Sequence, residues 1–118
     1  MTTESSATEV VVGNHLRAFL ERQGVDAIVS DYHEEARFLT EAKVYHGKQE
    51  IHAFFVDFID SLPPGGIDRF SLRSMHVDGD IAYITWNIDE EIPLGTDTFV
   101  VNHGRIVSQT FAMYPHSR

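Results

Sequence analysis

The sequence predicts an α+β domain in which three helices pack against one strongly curved antiparallel sheet. Stretches in the first half of the chain carry apolar residues at helical spacing, whereas most of the chain after residue 66 alternates between apolar and polar residues, as strands do. The 118 residues, 42% of them hydrophobic, suit one compact body with its own core. We therefore expect a single domain over residues 6–118, preceded by a disordered N-terminus at residues 1–5.

The first helix is predicted at about residues 7–23. Ser6 and Glu9 have the three-residue spacing of a capping box, in which a side-chain acceptor starts the helix. Apolar residues then recur at helical spacing, and Gly24 can supply the left-handed residue that ends the helix.

A short second helix and the first strand are predicted next. The helix is expected over about residues 26–32, because an aspartate can cap its N-terminus. Residues 36–41 then change to a period of two, which is typical of a strand. On this strand Phe38 and Thr40 share one face, whereas Glu41 points to the other.

A third helix and four further strands complete the prediction. The helix is indicated by an apolar, largely aromatic stripe formed by Ile51, Phe54, Phe55, Phe58, Ile59 and Leu62. The prolines and glycines at residues 63–66 end it. Strands are predicted at about residues 68–77, 81–92, 96–101 and 105–114, with turns at residues 78–79, 93–95 and 102–104.

The composition argues against several classes of partner. The chain has 18 acidic and 9 basic residues and a net charge of −9, which would repel nucleic acid. It has no cysteine for a thiolate metal site, and no two histidines have the i, i+4 spacing of a helical zinc site. No apolar run approaches the ~20 residues of a membrane span. We expect a cytoplasmic protein that uses no metal or other cofactor and binds neither nucleic acid nor membrane.

Asp97 is the first candidate for chemistry. It alternates with Phe99 and Val101 on the strand predicted at residues 96–101, which puts all three side chains on one face. If that face is buried, desolvation raises the pKa of Asp97, and the carboxyl group then suits an acid or a hydrogen-bond donor. The alternative is an ordinary aspartate near the mouth of a hairpin.

Three more side chains are candidates, each with a plain structural alternative. Trp86 alternates with Ile84 and Ile88 on the longest predicted strand, either as a core residue or as a pocket wall. Tyr32 can donate its hydroxyl group into a cavity or simply pack at a helix end. His46 can carry protons at a pocket mouth or hydrogen-bond to backbone near the start of the third helix.

The other histidines and the aromatic residues are interpreted as groups. His15, His33, His52, His103 and His116 are expected to be surface or turn residues. His76 is not assigned to either face of its strand, because the length of the neighbouring turn is not fixed. An aromatic-rich interior is predicted from Phe38, Phe54, Phe55, Phe58, Phe99, Phe111 and Met113. Such a set can form a plain core or line a pocket for a flat apolar ligand.

Three segments carry a resemblance to known proteins: GVDAIVSDYHEEARF, YHGKQEIHAFF and DTFVVNHGRIVSQTFAMY. Together with the order of the elements, they resemble the nuclear transport factor two (NTF2)-like superfamily, in particular its SnoaL-like and ketosteroid-isomerase-like branch. The resemblance implies a cone-shaped, cystatin-like α+β barrel with an apolar pocket between the helices and the concave face of the sheet. It also implies a homodimer formed through the sheet.

The resemblance also implies roles for particular positions. In the isomerase branch a carboxylate on the first strand moves the proton, while a tyrosine of the first helix and a protonated aspartic acid stabilise the enolate. Thr40 stands at the position of that carboxylate, and threonine cannot act as a base near neutral pH. The first helix offers Leu16 and Phe19 in place of the tyrosine. Tyr32 and Asp97 match the polar network of the family.

The predicted site has a catalytic and a ligand-binding part. The catalytic set is Asp97, Tyr32 and His46. The ligand-binding set is Leu16, Phe19, Phe38, Thr40, Phe55, Phe58, Trp86, Phe99, Phe111 and Met113. The leading interpretation is a cofactor-free isomerase, cyclase or dehydratase for a small hydrophobic polyketide-, terpenoid- or steroid-like molecule. One alternative, favoured by the missing base, is a non-catalytic ligand-binding or dimerisation module; another is an epoxide-hydrolase-like enzyme, which needs Arg37 or Arg73 beside Asp97.

Overall fold

Three helices pack on one face of a six-stranded sheet in the computed structural model, which describes residues 3–115. The helices are α1 (Thr3–Leu20), α2 (Val25–Val29) and α3 (Gly47–Ser61). The strands are β1 (Tyr32–Leu39), β2 (Val44–His46), β3 (Phe70–Asp78), β4 (Ile81–Ile88), β5 (Ile92–Asn102) and β6 (Arg105–Tyr114). The predicted α+β class, with three helices on a mainly antiparallel curved sheet, is confirmed.

The strands lie in the order β2-β1-β6-β5-β4-β3. Neighbouring strands are antiparallel except β1 and β6, which run parallel, with Leu39 opposite Thr110. Because β2 and β3 form the two edges, the sheet curves around the helices without closing into the barrel that the resemblance implied.

The first helix starts and ends earlier than predicted. α1 spans Thr3–Leu20 rather than about residues 7–23, so the predicted capping box lies inside the helix. Residues 3–5 of the expected disordered N-terminus are helical. Residues 1 and 2 lie outside the described part of the chain.

The two ends of α1 are set by features that the sequence pattern does not reveal. At the turn between β3 and β4, the backbone N–H of Gly79 donates to Ser5 Oγ (2.9 Å), and Thr8 Oγ1 donates to the carbonyl oxygen of Gly79 (2.7 Å). At the other end Arg22, with φ of 53°, adopts the left-handed conformation that was predicted for Gly24. The N-terminal turns of α1 are therefore tied to the sheet.

Tyr32 belongs to the sheet and not to the second helix. α2 ends at Val29, and β1 begins at Tyr32 rather than at residue 36. The short edge strand β2 pairs with β1 in a segment that was predicted as a loop. α3 therefore follows directly from a strand of the sheet.

The connection between β4 and β5 lies at residues 89–91, and the turn predicted at residues 93–95 is instead part of β5. The guanidinium group of Arg69 donates to the carboxylates of Asp89 and Glu91. These charge-assisted hydrogen bonds hold the connection against the loop that precedes β3.

The outer face of the sheet carries exposed apolar side chains. They are Leu39, Val44, Ile81, Tyr83, Leu94 and Tyr114. His76 pairs with Tyr83 on this face and is exposed, which settles the orientation that the sequence left open. Within residues 3–115, every helix is too short or too polar to cross a lipid bilayer.

Candidate functional site

A small cavity of about 40 Å³ lies between the helices and the inner face of the sheet. Among its lining residues are eight members of the predicted site: Leu16, Phe19, Phe55, Phe58, Trp86, Asp97, Phe99 and Phe111. Four further lining residues were not predicted: His15, Phe70, Ile84 and Gln109. The wall is therefore largely aromatic and aliphatic, with polar groups supplied by His15, Asp97, Gln109 and the indole N–H of Trp86.

Asp97 is buried on the inner face of β5, as its alternation with Phe99 predicted, and 7% of its surface is exposed. Its two carboxyl oxygens accept different hydrogen bonds. Trp86 Nε1 donates to Oδ1 and Gln109 Nε2 donates to Oδ2, each at 2.8 Å. Each carboxyl oxygen has a second lone pair, so the carboxyl group can accept a further hydrogen bond from a molecule in the cavity.

Burial is the main influence on the charge of Asp97. Desolvation raises the pKa of Asp97 to about 6, whereas the hydrogen bonds from Trp86 and Gln109 act in the opposite direction. A group with such a pKa changes its protonation state readily near neutral pH. Asp97 can thus exchange a proton with a molecule in the cavity without a large energetic cost.

Tyr32 supports this carboxyl group from behind the cavity wall. The Tyr32 hydroxyl donates to Gln109 Oε1, and the amide nitrogen of Gln109 in turn donates to Asp97. Desolvation and the nearby charge of Asp97 raise the pKa of Tyr32, so its hydroxyl stays protonated. Tyr32 itself does not line the cavity. It orients Gln109 and contributes no proton to the cavity directly.

His15 is buried on α1, although it was predicted to be a surface or turn residue. Its surface is 5% exposed, and its ring meets the rings of Tyr32, Phe55 and Phe99 edge to face. Nδ1 lies 3.3 Å from the carbonyl oxygen of Ile28 on α2. Desolvation lowers the pKa of His15 to about 4, so the imidazole is neutral at physiological pH.

A sequence signal existed for two of the missed residues. His15 lies three residues after Val12 and four before Phe19, which places it on the apolar stripe of α1. Gln109 lies two residues before Phe111 on β6, so both side chains point to the same face. In both cases a polar residue lies on an apolar face of its element, and this position indicates that its side chain is buried.

Two predicted ligand-binding residues lie outside the cavity wall near the end of β1. Phe38 is fully buried, and its ring packs against that of Phe54 with centroids 4.6 Å apart, so it is a core residue behind the wall. Thr40 closes a tight turn in which its Oγ1 donates to the carbonyl oxygen of Lys43 (2.9 Å). Neither side chain lines the cavity.

His46 and Met113 also lie away from the cavity. His46 pairs with Arg37, whose side chain points to the outer face of the sheet, and its imidazole is exposed there. Its backbone N–H donates to Glu50 Oε1 (2.8 Å) and so helps to start α3. Met113 lines a separate depression beside the connection between β4 and β5.

The arrangement for an epoxide-hydrolase-like reaction is not present in the described residues. Arg37 and Arg73 are both exposed, and neither lines the cavity that contains Asp97. Within the same part of the chain, no three histidine, aspartate or glutamate side chains are grouped to hold a metal ion.

Comparison with solved structures shows the same fold in several bacterial proteins. An NTF2-like protein of unknown function from Mesorhizobium loti is 20% identical, with a TM-score of 0.77 over 97% of this chain and 96% of that one. A protein from Sinorhizobium meliloti, provisionally named a polyketide cyclase, is 18% identical, with a TM-score of 0.70 over 86% and 93% of the two chains. A provisionally named ketosteroid isomerase from Kribbella flavida is 15% identical, with a TM-score of 0.71 over 98% and 84%.

These identities establish a shared fold and leave the reaction open, because one fold supports many activities. No curated protein matches the sequence. The sequence model of the SnoaL-like domain family matches residues 12–109, which include α2, α3 and all of β1 to β5. This chain belongs to the SnoaL-like domain family.

Proposed function

We propose that the protein binds a small, largely apolar molecule in the cavity and that Asp97 exchanges a proton with it. The observation that carries this proposal is a buried carboxyl group with a pKa of about 6 in an otherwise largely apolar wall. Ligand sites typically combine such a wall with a few polar groups that fix orientation. Perturbed carboxyl groups in such sites are frequent acids or bases.

The chemistry that suits this arrangement is a proton transfer that needs no cofactor. Isomerisation, cyclisation and dehydration all require a proton to be removed from one atom and returned to another. A carboxyl group whose pKa lies close to the working pH can do both. The names of the Sinorhizobium and Kribbella proteins describe reactions of this kind for those proteins, and we extend the reaction class to this chain as part of the proposal.

The size of the cavity sets a condition on the ligand. About 40 Å³ is well below the roughly 150 Å³ that admits benzene to a protein core. A ring-sized ligand therefore requires the wall to open. Leu16, Phe58, Phe70 and Phe111 are only partly buried, so they form the side of the wall that can move by a change of side-chain rotamer.

The proposal is tested by proton exchange. A panel of enolisable cyclic ketones is incubated with the protein in D₂O, and deuterium uptake at the α-carbon is followed by NMR. We expect faster exchange of at least one ketone with the wild-type protein, and a loss of about 10²-fold or more in Asp97→Asn. Background exchange for every ketone with the wild-type protein would refute the proposed proton transfer.

A second candidate function is a non-catalytic module of the same fold. The observation that favours it is the small volume of the cavity, together with the absence of a carboxylate at Thr40. In that case the hydrogen bonds among Tyr32, Trp86, Asp97 and Gln109 serve only to fix the core. Failure of ring-sized probes to bind at all would favour this module over the enzyme.

We also propose a homodimer formed through the outer face of the sheet. The exposed apolar side chains on that face, described above, support this assembly because exposed apolar side chains can be buried against a second copy. A cytoplasmic location remains a prediction from the sequence.

A further inference from the structure

The hydrogen-bond donors around Asp97 are already committed within the protein. Trp86 donates to Oδ1 and Gln109 donates to Oδ2. The Tyr32 hydroxyl donates to the other end of the Gln109 amide. Apart from the second amide hydrogen of Gln109, this network has no N–H or O–H left to offer a ligand. The carboxyl oxygens, in contrast, retain acceptor capacity.

His15 adds a second acceptor to the cavity. A carbonyl oxygen can only accept, so the 3.3 Å contact with Ile28 requires the hydrogen of the neutral imidazole to be on Nδ1. Nε2 then carries a lone pair. The structure gives no protein hydrogen bond to Nε2 from residues 3–115. Because every fully buried side-chain nitrogen or oxygen described there has a partner, Nε2 keeps some accessible surface, and the cavity that His15 lines is the open space next to its ring.

The charge states of His15 and Asp97 also make both groups hydrogen-bond acceptors at neutral pH. At neutral pH the imidazole is uncharged, because burial lowers the pKa of His15 to about 4. Asp97 is mainly ionised there, since its pKa is about 6. Both groups therefore present lone pairs to the cavity. Until Asp97 takes up a proton, a plain ketone, which has only acceptor atoms, would find no donor in this network other than the second amide hydrogen of Gln109.

We propose that the polar end of the cavity is a hydroxyl subsite, in which Nε2 of His15 accepts a hydrogen bond from an O–H group of the ligand. The ligand class is then a small phenol, enol or alcohol with an apolar body. This inference rests on the proposed binding function and adds His15 to the residues that contact the ligand. It also implies that a ketone substrate is held most favourably in its enol form.

The test compares phenol with toluene, which replaces the hydroxyl group by a methyl group of similar size. Binding is followed through the indole N–H resonance of Trp86, which lies in the cavity wall and is the single tryptophan of the chain. At about pH 7 we expect phenol to bind the wild-type protein about tenfold more tightly than toluene. In His15→Asn the amide nitrogen can still donate to Ile28, but no atom replaces Nε2. This variant should lose most of the preference for phenol, measured as the ratio of the phenol and toluene affinities of the same protein.

The outcomes separate the two proposals. Equal affinity of the wild-type protein for phenol and toluene would overturn the hydroxyl subsite and leave the apolar binding site intact. Failure of both probes to bind would overturn both proposals. If His15→Asn does not fold, the nitrogen resonances of His15 in the wild-type protein decide the matter. The proposal requires a protonated Nδ1 and an unprotonated Nε2 whose resonance shifts on addition of phenol, and the reverse tautomer would refute it.

Discussion

Asp97 experiences two opposing influences that together set its protonation state. Burial disfavours the carboxylate, and the two hydrogen bonds from Trp86 and Gln109 favour it. The balance leaves a pKa of about 6, between that of an ordinary surface aspartate and that of a carboxylic acid that never ionises. The group is thus largely a base above this pH and largely an acid below it.

This balance predicts the pH dependence of proton exchange. If Asp97 removes the proton from the ketone, the reactive form is the carboxylate, so the first-order exchange rate should rise with pH and level off above a midpoint near 6. The measurement is the α-deuteration rate between about pH 4 and about pH 8, with Asp97→Asn as the control. A rate that falls as pH rises through this range would assign Asp97 the role of acid instead.

A second prediction concerns stability and combines His15 with Asp97. The pKa of His15 falls from 6.5 to about 4 on folding, so the unfolded chain binds more protons between these values and stability rises with pH there. The pKa of Asp97 rises from 3.8 to about 6, so the folded state binds more protons and stability falls as pH rises from about 4 to about 6. The two effects largely cancel in the wild-type protein.

Removing one group should expose the effect of the other. As the pH rises from about 4 to about 6, the free energy of unfolding of His15→Asn should decrease by roughly 2 to 3 kcal/mol relative to that of the wild-type protein. Over the same range the free energy of unfolding of Asp97→Asn should increase by a similar amount. Urea unfolding at several pH values measures this difference. Curves that stay parallel to the wild-type curve would show that neither group titrates as its burial requires.

At the residue scale, the sequence predicted the orientation of a side chain where the residue continued the alternation of its neighbours. Asp97 was predicted to face inward because it alternates with Phe99 and Val101. His15 was assigned to the surface because a histidine is usually tolerated there, although its position on the apolar stripe of α1 indicated burial. His46 was misplaced because the edge strand β2, which sets its direction, has too short a pattern to be recognised.

At the scale of single elements, β5 approaches Trp86 closely at Gly95. Gly95 lies opposite Trp86 in the sheet, and a Cβ atom added there would overlap the indole ring. The glycine leaves room for the ring that donates to Asp97. The packing of one strand therefore determines the geometry of the candidate site.

Gly95→Ala should therefore destabilise the protein by about 1 to 3 kcal/mol, because overpacking forces the indole ring to move. The indole N–H resonance of Trp86 should shift as its hydrogen bond to Asp97 is disturbed. Gly13→Ala is the matched control, since an added Cβ there meets no described atom outside its own helix within 4 Å. This control should stabilise α1 by roughly 0.5 to 1 kcal/mol. Unchanged stability and an unchanged resonance in Gly95→Ala would contradict the packing described for β5.

The types of the long elements could be predicted from sequence, but their ends could not. The stripe of α3 and the alternation of β4 and β6 are strong local patterns. The start of α1 depends on hydrogen bonds to Gly79, more than seventy residues away along the chain. The connection between β4 and β5 was misplaced because Pro93 and Gly95 are usual turn residues, whereas the ion pairs of Arg69 fix the turn at residues 89–91.

At the scale of the whole molecule, the proposed homodimer gives a further prediction. Tyr83 is 41% exposed on the outer face of β4, so a glutamate there would place like charges against each other in a dimer. Tyr83→Glu should dissociate the dimer in analytical ultracentrifugation without a change in the folded circular dichroism spectrum. Val10→Glu is the matched control, because Val10 is exposed on α1, away from the sheet. A wild-type protein that sediments as a monomer would contradict this assembly.

The parallel pairing of β1 with β6 has a consequence for biosynthesis. β6 joins the β1–β2 hairpin to the β3–β5 meander, so the two halves of the sheet stay separate until the last strand has left the ribosome. Bringing together strands so distant along the chain carries an entropic cost that favours late, all-or-none assembly. A nascent chain halted before residue 105 would thus lack the strand that completes the sheet over the aromatic side chains of α3, and would resemble the aggregation-prone intermediates that chaperones bind.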